Sequence, residues 1–172
     1  AEDYGQSAVV ATIHCALPHE RTAWQRFLGE GTLALLPLSD GSCSIVWSVA
    51  TARAQQLLSV PVAEFERALT AASDQVLGEL RLASERLSFP LHRMSAPQYV
   101  LERCALVGDA AHVVHPLAGQ GVNLGLLDAA ALADALGQAS AEREDPGALR
   151  VLRRYERWRQ RENELMSRAF DI

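Results

Sequence analysis

The segment LVGDAAHVVHPLAGQGVNLGLLDAAALADAL, residues 106–136, determines how the rest of the chain is organised. Its first two residues end a short apolar strand. Residues 108–121 contain three glycines and a proline, a composition typical of a loop. From Val122 onward apolar residues recur at helical spacing, and Gly137 stands where a C-cap glycine is expected. The segment therefore predicts a strand, a glycine-rich loop and a helix, with these residues on the apolar face of the helix: Leu124, Leu127, Ala131, Leu132 and Ala135.

The start of this helix is suited to an electron-rich ligand. The first turn of a helix presents unpaired N–H groups and a partial positive charge. Gly119 and Gly121 let a ligand approach those groups closely. Asp109 can accept hydrogen bonds from ligand hydroxyls, and Asn123 can both donate and accept them. The loop is therefore a candidate site for anionic or electron-rich oxygens.

Two nucleotide motifs fail to match this loop. The G-x-G-x-x-G pattern requires a glycine where the chain has Leu124, and the Walker A pattern requires a lysine. All 16 basic residues of the chain are arginine. Spacing alone thus leaves two interpretations open, a cofactor loop and an ordinary glycine-rich connection.

The segment VGDAAHVVHPLAGQGVNLG, residues 107–125, resembles the second flavin-binding motif of the class A FAD-dependent aromatic hydroxylases. It is most similar to this motif in the ubiquinone-biosynthesis branch of the family. AWQRF, LALLPLSD, CSIVWS, FPL and LRRYERWR resemble further segments of that branch in the same order. The resemblance implies that Asp109 contacts the ribityl part of FAD. It also implies that the following residues lie beside the isoalloxazine ring: Pro116, Ala118, Gly119, Gln120, Gly121, Val122 and Asn123.

The same resemblance implies an activity. The parent protein would be a monooxygenase that hydroxylates the aromatic ring of a ubiquinone precursor, a polyprenyl-phenol-type substrate, with FAD, NAD(P)H and dioxygen. The sequence singles out no catalytic acid or base and no metal site. The family's G-x-G-x-x-G unit is missing from the chain. We therefore interpret the chain as an internal fragment that is inactive by itself.

The expected fold is an α+β fragment of an α/β flavoprotein with the aromatic-hydroxylase fold. Residues 1–97 would form the antiparallel substrate-domain sheet with its helices. Residues 98–140 would form a strand-loop-helix piece of the FAD domain, and residues 141–172 a C-terminal amphipathic helix. Two other functions stay open: another class A hydroxylase or a halogenase, and a non-enzymatic remnant or module of a ubiquinone-biosynthesis complex.

Composition restricts the partners and the location. The net charge of −5 argues against nucleic acid, and no run approaches the roughly 18 apolar residues of a membrane span. Three cysteines without a CxxC pair predict small buried side chains in a reducing cytoplasm. The arginines of the last helix allow peripheral contact with the inner face of a membrane, although the interleaved glutamates favour a solvated face.

The remaining patterns predict regular elements. Val9–Cys15 alternates as a half-buried strand, and three or four consecutive strands would form a meander. Ser59 is expected to cap a helix that ends near Gly78, and Asp145 to cap the last helix. Further strands are expected at residues 22–28, 32–38, 44–49 and 79–89, the last of them with a bulge near Ser84. A first helix is expected at residues 51–58.

Individual side chains carry further expectations. Asp109, His112 and His115 share a three-residue spacing, which is a weak metal pattern. A hydrogen-bonded structural role is expected for His112 and a substrate-facing one for His115. Trp24, Trp47 and Phe65 are expected in the core. The last helix is expected to bury one apolar stripe, formed by Leu149, Leu152, Tyr155, Leu165 and Met166.

Overall fold

The structure is a computed structural model that describes the backbone of residues 2–114 and 120–170 and the side chains of residues 3–114 and 121–165. The chain divides into two compact units between Leu91 and His92. The three-part division at residues 97 and 140 stays a prediction.

An antiparallel sheet forms the first unit. Its strands are β1 Glu2–Cys15, β2 Trp24–Leu28, β3 Gly31–Pro37 and β4 Cys43–Ala50. They lie in the order β2-β3-β4-β1, and Ala11 of β1 lies opposite Ile45 of β4. Only three consecutive strands form a meander, and the four-strand alternative is wrong because β1 pairs with β4 rather than β2. An interior place suits β1, since Val9 and Ile13 are fully buried on one of its faces.

Two helices cover one face of this sheet. They are α1, Thr51–Ser59, and α2, Val62–Ala72. Phe65 of α2 is fully buried and its ring lies 6.3 Å from the ring of Trp47, so the core position expected for both residues is confirmed. Trp24 is 41% exposed, which contradicts the core position expected for it. It lies on β2, the edge strand of the sheet, where fewer neighbours cover it.

The boundaries of α2 differ from the prediction at both ends. Ser59 is the last residue of α1, and its hydroxyl donates to the Gln56 carbonyl at 2.9 Å instead of capping α2. Pro61 occupies the N-cap position with an extended backbone. The helix ends at Ala72 rather than near Gly78, because the chain turns through two residues with positive φ, Asp74 and Gln75.

The single bulged strand expected over residues 79–89 is also wrong. The chain forms two strands, β5 Leu80–Leu82 and β6 Leu87–Ser95, and Pro90 lies inside β6. Between them, the hydroxyl of Ser84 accepts a hydrogen bond from the Thr12 amide at 2.8 Å. Arg86 donates to the Leu57 carbonyl at 2.7 Å, so side chains hold the connection where strand pairing stops.

The second unit contains short strands and two long helices. Its elements are β7 Val100–Leu101, β8 Cys104–Ala105, a 3-10 helix Gly108–Ala110, β9 His112–Val113, α3 Gln120–Ala141 and α4 Leu149–Phe170. Strands β7 and β8 form a hairpin, and β9 pairs with the end of β6, where His112 lies opposite Ser95. A core of Tyr99, Ala131, Ala135 and Tyr155 joins the helices to the hairpin.

Helix α3 extends beyond the predicted helix at both ends. It begins at Gln120 and passes through Gly137. Gly137 does not end the helix because packing continues beyond it: Ala139 is fully buried. Leu124 and Ala131 are buried, which confirms part of the predicted apolar face. Leu127, however, is 53% exposed and lies off that face.

Helix α4 begins later than predicted. The carboxylate of Asp145 accepts a hydrogen bond from the Gly147 amide at 2.9 Å and pairs with Arg103, so it stabilises a turn before the helix. Leu152 and Tyr155 are buried as expected, whereas Leu165 is 61% exposed. The expected burial of Met166 falls outside the described side chains.

The burial expected for the three cysteines is confirmed only in part. Cys43 is buried and Cys15 partly so, but Cys104 is exposed, because it lies in the short β7-β8 hairpin.

Over the residues that the structure describes, no helix is both long and apolar enough to cross a membrane.

Gly31 offers a test of the sheet. Its φ is +138°, and a Cβ would lie 1.9 Å from the Ser48 carbonyl oxygen of β4. We expect Gly31→Ala to lower the free energy of unfolding by at least about 2 kcal/mol. Gly29→Ala is the matched control, because a Cβ at Gly29 meets no atom within 4 Å. Equal urea midpoints for the two variants would contradict the strand register.

Candidate functional site

The candidate site begins at the turn that follows β8. Gly108 has a φ of +58°, a conformation that side-chain-bearing residues rarely adopt, and it opens the 3-10 helix that carries Asp109. Asp109 is exposed, and its carboxylate makes no hydrogen bond or ion pair with another described residue. The turn therefore presents an acceptor that a ligand can use.

A single buried carboxylate fixes this turn. Asp128 of α3 is fully buried. Its Oδ2 accepts the Gly108 amide at 2.9 Å and His112 Nε2 at 2.6 Å. Its Oδ1 accepts Arg159 Nε at 2.7 Å and Asn163 Nδ2 at 3.3 Å. Gly108, directly before Asp109, and His112, three residues after it, are thus bound to the same group, which holds the Asp109 turn against α3.

Hydrogen bonds keep this carboxylate ionised. Burial opposes the charge of Asp128, but the hydrogen bonds from Arg159, His112, Gly108 and Asn163 outweigh it and hold the pKa of Asp128 below its usual value. The Arg159 side chain is 1% exposed and also donates to Asn163 Oδ1 at 2.8 Å and to Glu162. The buried charge is therefore compensated locally.

Helix α4 anchors the strand that leads to the turn. The hydroxyl of Tyr155 donates to the Leu106 carbonyl at 2.7 Å. Burial raises the pKa of Tyr155, so the hydroxyl remains a donor. Glu156 accepts the backbone amide of Tyr99 at 2.8 Å and that of Val100 at 3.3 Å. Both ends of the β7-β8 hairpin are consequently bound to α4.

Two glycines let α3 approach the turn. A Cβ built on Gly125 would lie 3.4 Å from the Cα of Gly108, and one built on Gly108 would lie 3.6 Å from the Cα of Gly125. The backbones are thus in near contact. Gly125 comes one residue later than the third glycine of the dinucleotide pattern, so that pattern assigns it no role.

The start of α3 is open to a ligand. Val122 is 72% exposed, Asn123 is exposed, and a Cβ at Gly121 would meet no atom within 4 Å. Gln120 is the first residue of the helix. The other three predicted cofactor residues, Pro116, Ala118 and Gly119, lie outside the described residues, as does His115.

These features fit the ligand implied by the sequence. An exposed carboxylate suits the hydroxyls of a ribityl chain, and an exposed helix start suits the electron-rich edge of a flavin ring. Asp109, Val122 and Asn123 are exposed and Gly121 is half-buried, and their contacts with FAD stay a prediction.

The structural role expected for His112 is confirmed by its hydrogen bond to Asp128. The partners of this histidine were not anticipated. One signal was available: Asp128 lies at helical spacing between Leu124 and Ala131, where the apolar face predicts another apolar residue. A charged residue in such a stripe requires a buried partner, which is Arg159.

The sequence pattern of the FAD binding domain family matches residues 6–168. The chain belongs to this family. It is 39% identical to the ubiquinone biosynthesis monooxygenase COQ6 of Danio rerio over 99% of the chain and 42% of that protein. It is 38% identical to the 3-demethoxyubiquinol 3-hydroxylase of Escherichia coli over 100% of the chain and 44% of that protein. The resemblance to the ubiquinone-biosynthesis hydroxylases is thereby confirmed.

Solved structures support the fold. The crystal structure of Pseudomonas aeruginosa PqsL in complex with 2-aminobenzoylacetate matches with a TM-score of 0.68 at 23% identity, over 98% of this chain and 47% of that one. The expected fragment of an aromatic-hydroxylase fold is confirmed. The chain spans about two fifths of the length of the curated relatives that it matches.

Asp128 provides a test of the site. We expect Asp128→Asn to lower the free energy of unfolding at pH 7 by about 3 kcal/mol, because Arg159 loses its buried partner. The exposed Asp134 gives the control Asp134→Asn, with a change within about 0.5 kcal/mol. Urea unfolding measures both.

The stability difference between wild type and the Asp128→Asn variant should also depend on pH. Because folding lowers the pKa of Asp128, its contribution to stability is complete above the unfolded-state pKa of about 3.9 and declines as the pH falls through the lower folded-state value. The stability gap between wild type and Asp128→Asn should therefore narrow below about pH 4. A gap that stays constant from pH 7 to pH 2 would contradict the assignment.

Proposed function

We propose that this chain is the flavin-ring side of an FAD-dependent monooxygenase that hydroxylates the aromatic ring of a ubiquinone precursor. The named relatives are a ubiquinone biosynthesis monooxygenase and a 3-demethoxyubiquinol 3-hydroxylase, and the family is one of FAD binding domains. The proposal includes NAD(P)H as reductant, dioxygen as co-substrate and a polyprenyl phenol as substrate. It also includes association with other proteins of the same biosynthesis.

The exposed carboxylate of Asp109 carries this proposal. It follows Gly108, whose amide donates to buried Asp128, so the backbone beside it is held in place while its oxygens stay exposed. We assign to it the ribityl hydroxyls of FAD. A carboxylate can accept several hydroxyl donors at once, which orients the ligand chain against the turn.

The start of α3 would act on the ring end of the cofactor. Bound FAD supplies the electron transfer and oxygen chemistry of the reaction. The helix start at Gln120, Gly121, Val122 and Asn123 directs its partial positive charge outward and favours negative charge on a ring beside it. We also assign the residues before the helix, Pro116, Ala118 and Gly119, to the surroundings of the flavin ring.

The isolated chain is proposed to be inactive and to hold FAD weakly. Its sequence has no G-x-G-x-x-G helix start to bind a pyrophosphate. Each missing charge-assisted contact forfeits about 1.5–3 kcal/mol of interaction, so the affinity for FAD falls by orders of magnitude.

Flavin retention tests the role of Asp109. In a protein that joins this chain to the rest of the length of its relatives, we expect Asp109→Ala to keep the fold but to lose FAD on desalting. Asp134→Ala removes an equally exposed carboxylate of the same unit and should keep its flavin absorbance. Full flavin occupancy in Asp109→Ala would exclude this residue from the site.

A basic stripe on α4 supports peripheral contact with a membrane. Arg153, Arg157 and Arg161 repeat every fourth residue, are exposed, and pair with no described acidic residue. Trp158 and Leu165 beside them are 50% and 61% exposed. Arginines with apolar neighbours favour anionic lipid headgroups, and a polyprenyl phenol dissolves in the same bilayer.

Vesicle binding tests this surface. Replacing these three arginines by glutamine should weaken binding to vesicles of anionic phospholipid about a hundredfold, because each basic residue near such a surface contributes about 1 kcal/mol. The control replaces Arg21, Arg53 and Arg67 of the first unit by glutamine, with the same change in net charge. Equal loss in both triple variants would show that only net charge matters.

A further inference from the structure

The two oxygens of the buried Asp128 carboxylate bind different parts of the second unit. Oδ2 accepts the Gly108 amide at 2.9 Å and His112 Nε2 at 2.6 Å, so it faces the turn that carries Asp109. Oδ1 accepts Arg159 Nε at 2.7 Å, so it faces α4. Because the two oxygens belong to one planar group, a donor that fixes Oδ1 also restricts Oδ2. The orientation of the carboxylate toward the turn therefore depends on α4.

Arg159 is the better placed of the two side-chain donors that α4 directs at Asp128. Its Nε lies 2.7 Å from Oδ1, whereas Nδ2 of Asn163 lies at 3.3 Å. The other two guanidinium nitrogens are also bound: Nη2 donates to Asn163 Oδ1 at 2.8 Å, and Nη1 donates to Glu162. A planar group that is bound at all three nitrogens has one orientation. The Arg159 side chain is 1% exposed, so solvent does not compete for it.

The turn needs this support because Gly108 has more backbone freedom than other residues. Its φ of +58° is one of several conformations open to glycine, and the hydrogen bond to Asp128 stabilises this one. Gly108 opens the 3-10 helix Gly108–Ala110, whose middle residue is Asp109. Without a fixed acceptor for the Gly108 amide, the backbone beside Asp109 would have more conformations to lose when a ligand binds. Such a loss of preorganisation weakens affinity without removing any ligand contact.

A simpler interpretation is that Arg159 only compensates a buried charge. Its loss would then lower stability and leave the ligand-facing turn unchanged. The position of the ion pair argues for a further role. Well-packed apolar side chains would stabilise the helix pair as well, whereas the Asp128 carboxylate also binds the backbone of the turn. The carboxylate thus connects Arg159 to the residue directly before Asp109.

We propose that Arg159 is a positioning residue for the FAD site: through Asp128 it holds the Gly108 amide, and with it the Asp109 turn, in the conformation that binds FAD. Arg159 lies outside the flavin motif of residues 107–125, and its burial leaves it no surface for ligand contact. The step from the turn to FAD rests on the proposed function, whereas the step from Arg159 to the turn rests on the hydrogen bonds alone.

The Gly108 amide tests the first step in the 172-residue chain, without FAD. Arg159→Lys keeps the charge but has no planar fork for its three partners. The control Leu152→Ala removes buried apolar packing from the same helix. We expect the ¹H and ¹⁵N resonances of the Gly108 amide to move far more in Arg159→Lys than in Leu152→Ala. Equal shifts in the two variants would overturn the proposal.

FAD affinity tests the second step in a protein that joins this chain to the rest of the length of its relatives. We expect Arg159→Lys to raise the Kd for FAD about tenfold, which is within the range by which residues without ligand contact change affinity. Leu152→Ala should lower the urea midpoint of unfolding but leave the Kd near its wild-type value. An unchanged Kd in Arg159→Lys, or a Kd that follows the urea midpoint in both variants, would overturn the proposal.

A milder variant decides the question if Arg159→Lys does not fold. Asn163→Ala leaves the pair of Asp128 and Arg159 in place and removes the acceptor of Arg159 Nη2. It should move the Gly108 resonances and raise the Kd for FAD. If either quantity stays at its wild-type value, the positioning role is excluded.

Failure of this inference is distinguishable from failure of the proposed function. If Asp109→Ala loses flavin but Arg159→Lys binds FAD as tightly as wild type, only the positioning role of Arg159 is removed. If Asp109→Ala keeps its flavin while Arg159→Lys moves the Gly108 resonances, the role of Asp109 is removed and the link from Arg159 to the turn stands.

Discussion

The carboxylate of Asp128 is the group on which the candidate site depends. It accepts hydrogen bonds from the Gly108 amide, His112, Arg159 and Asn163 at distances between 2.6 and 3.3 Å. These donors come from the turn, from β9 and from α4, so one buried charge joins three parts of the second unit. Its role is structural: through the Gly108 amide it holds the backbone next to the exposed Asp109 against α3.

A buried ion pair is a poor general means of stabilising a fold. Removing two charges from water is costly, and well-packed apolar side chains often stabilise as much. Here the charged pair gives geometry that apolar packing would not. Arg159 has several N–H donors in a fixed plane, and it binds Asp128, Asn163 and Glu162 together. The result is one defined orientation of α3 and α4 around the turn.

The sequence predicted elements best where one periodicity dominates. Trp47 lies on a strand whose alternation is clear, and that strand was correctly placed. Gly137 predicts a helix end on local grounds, but the helix continues to the buried Ala139, and no local signal reports such packing. For the site, the sequence motif is enough to single out Asp109, but the turn that carries it is held by Asp128 and Arg159. An analysis of apolar periodicity alone does not identify these two residues, because their pairing depends on a tertiary contact.

The pairing between the two long helices also has a consequence for folding kinetics. Asp128 belongs to α3 and Arg159 to α4, and each is less than 2% exposed. A partly docked helix pair would desolvate one charge before its partner arrives, which is unfavourable. Docking of α3 and α4 is therefore expected to be all-or-none. The turn with Gly108 uses the same carboxylate, so its native hydrogen bond is expected to form together with this docking step rather than ahead of it.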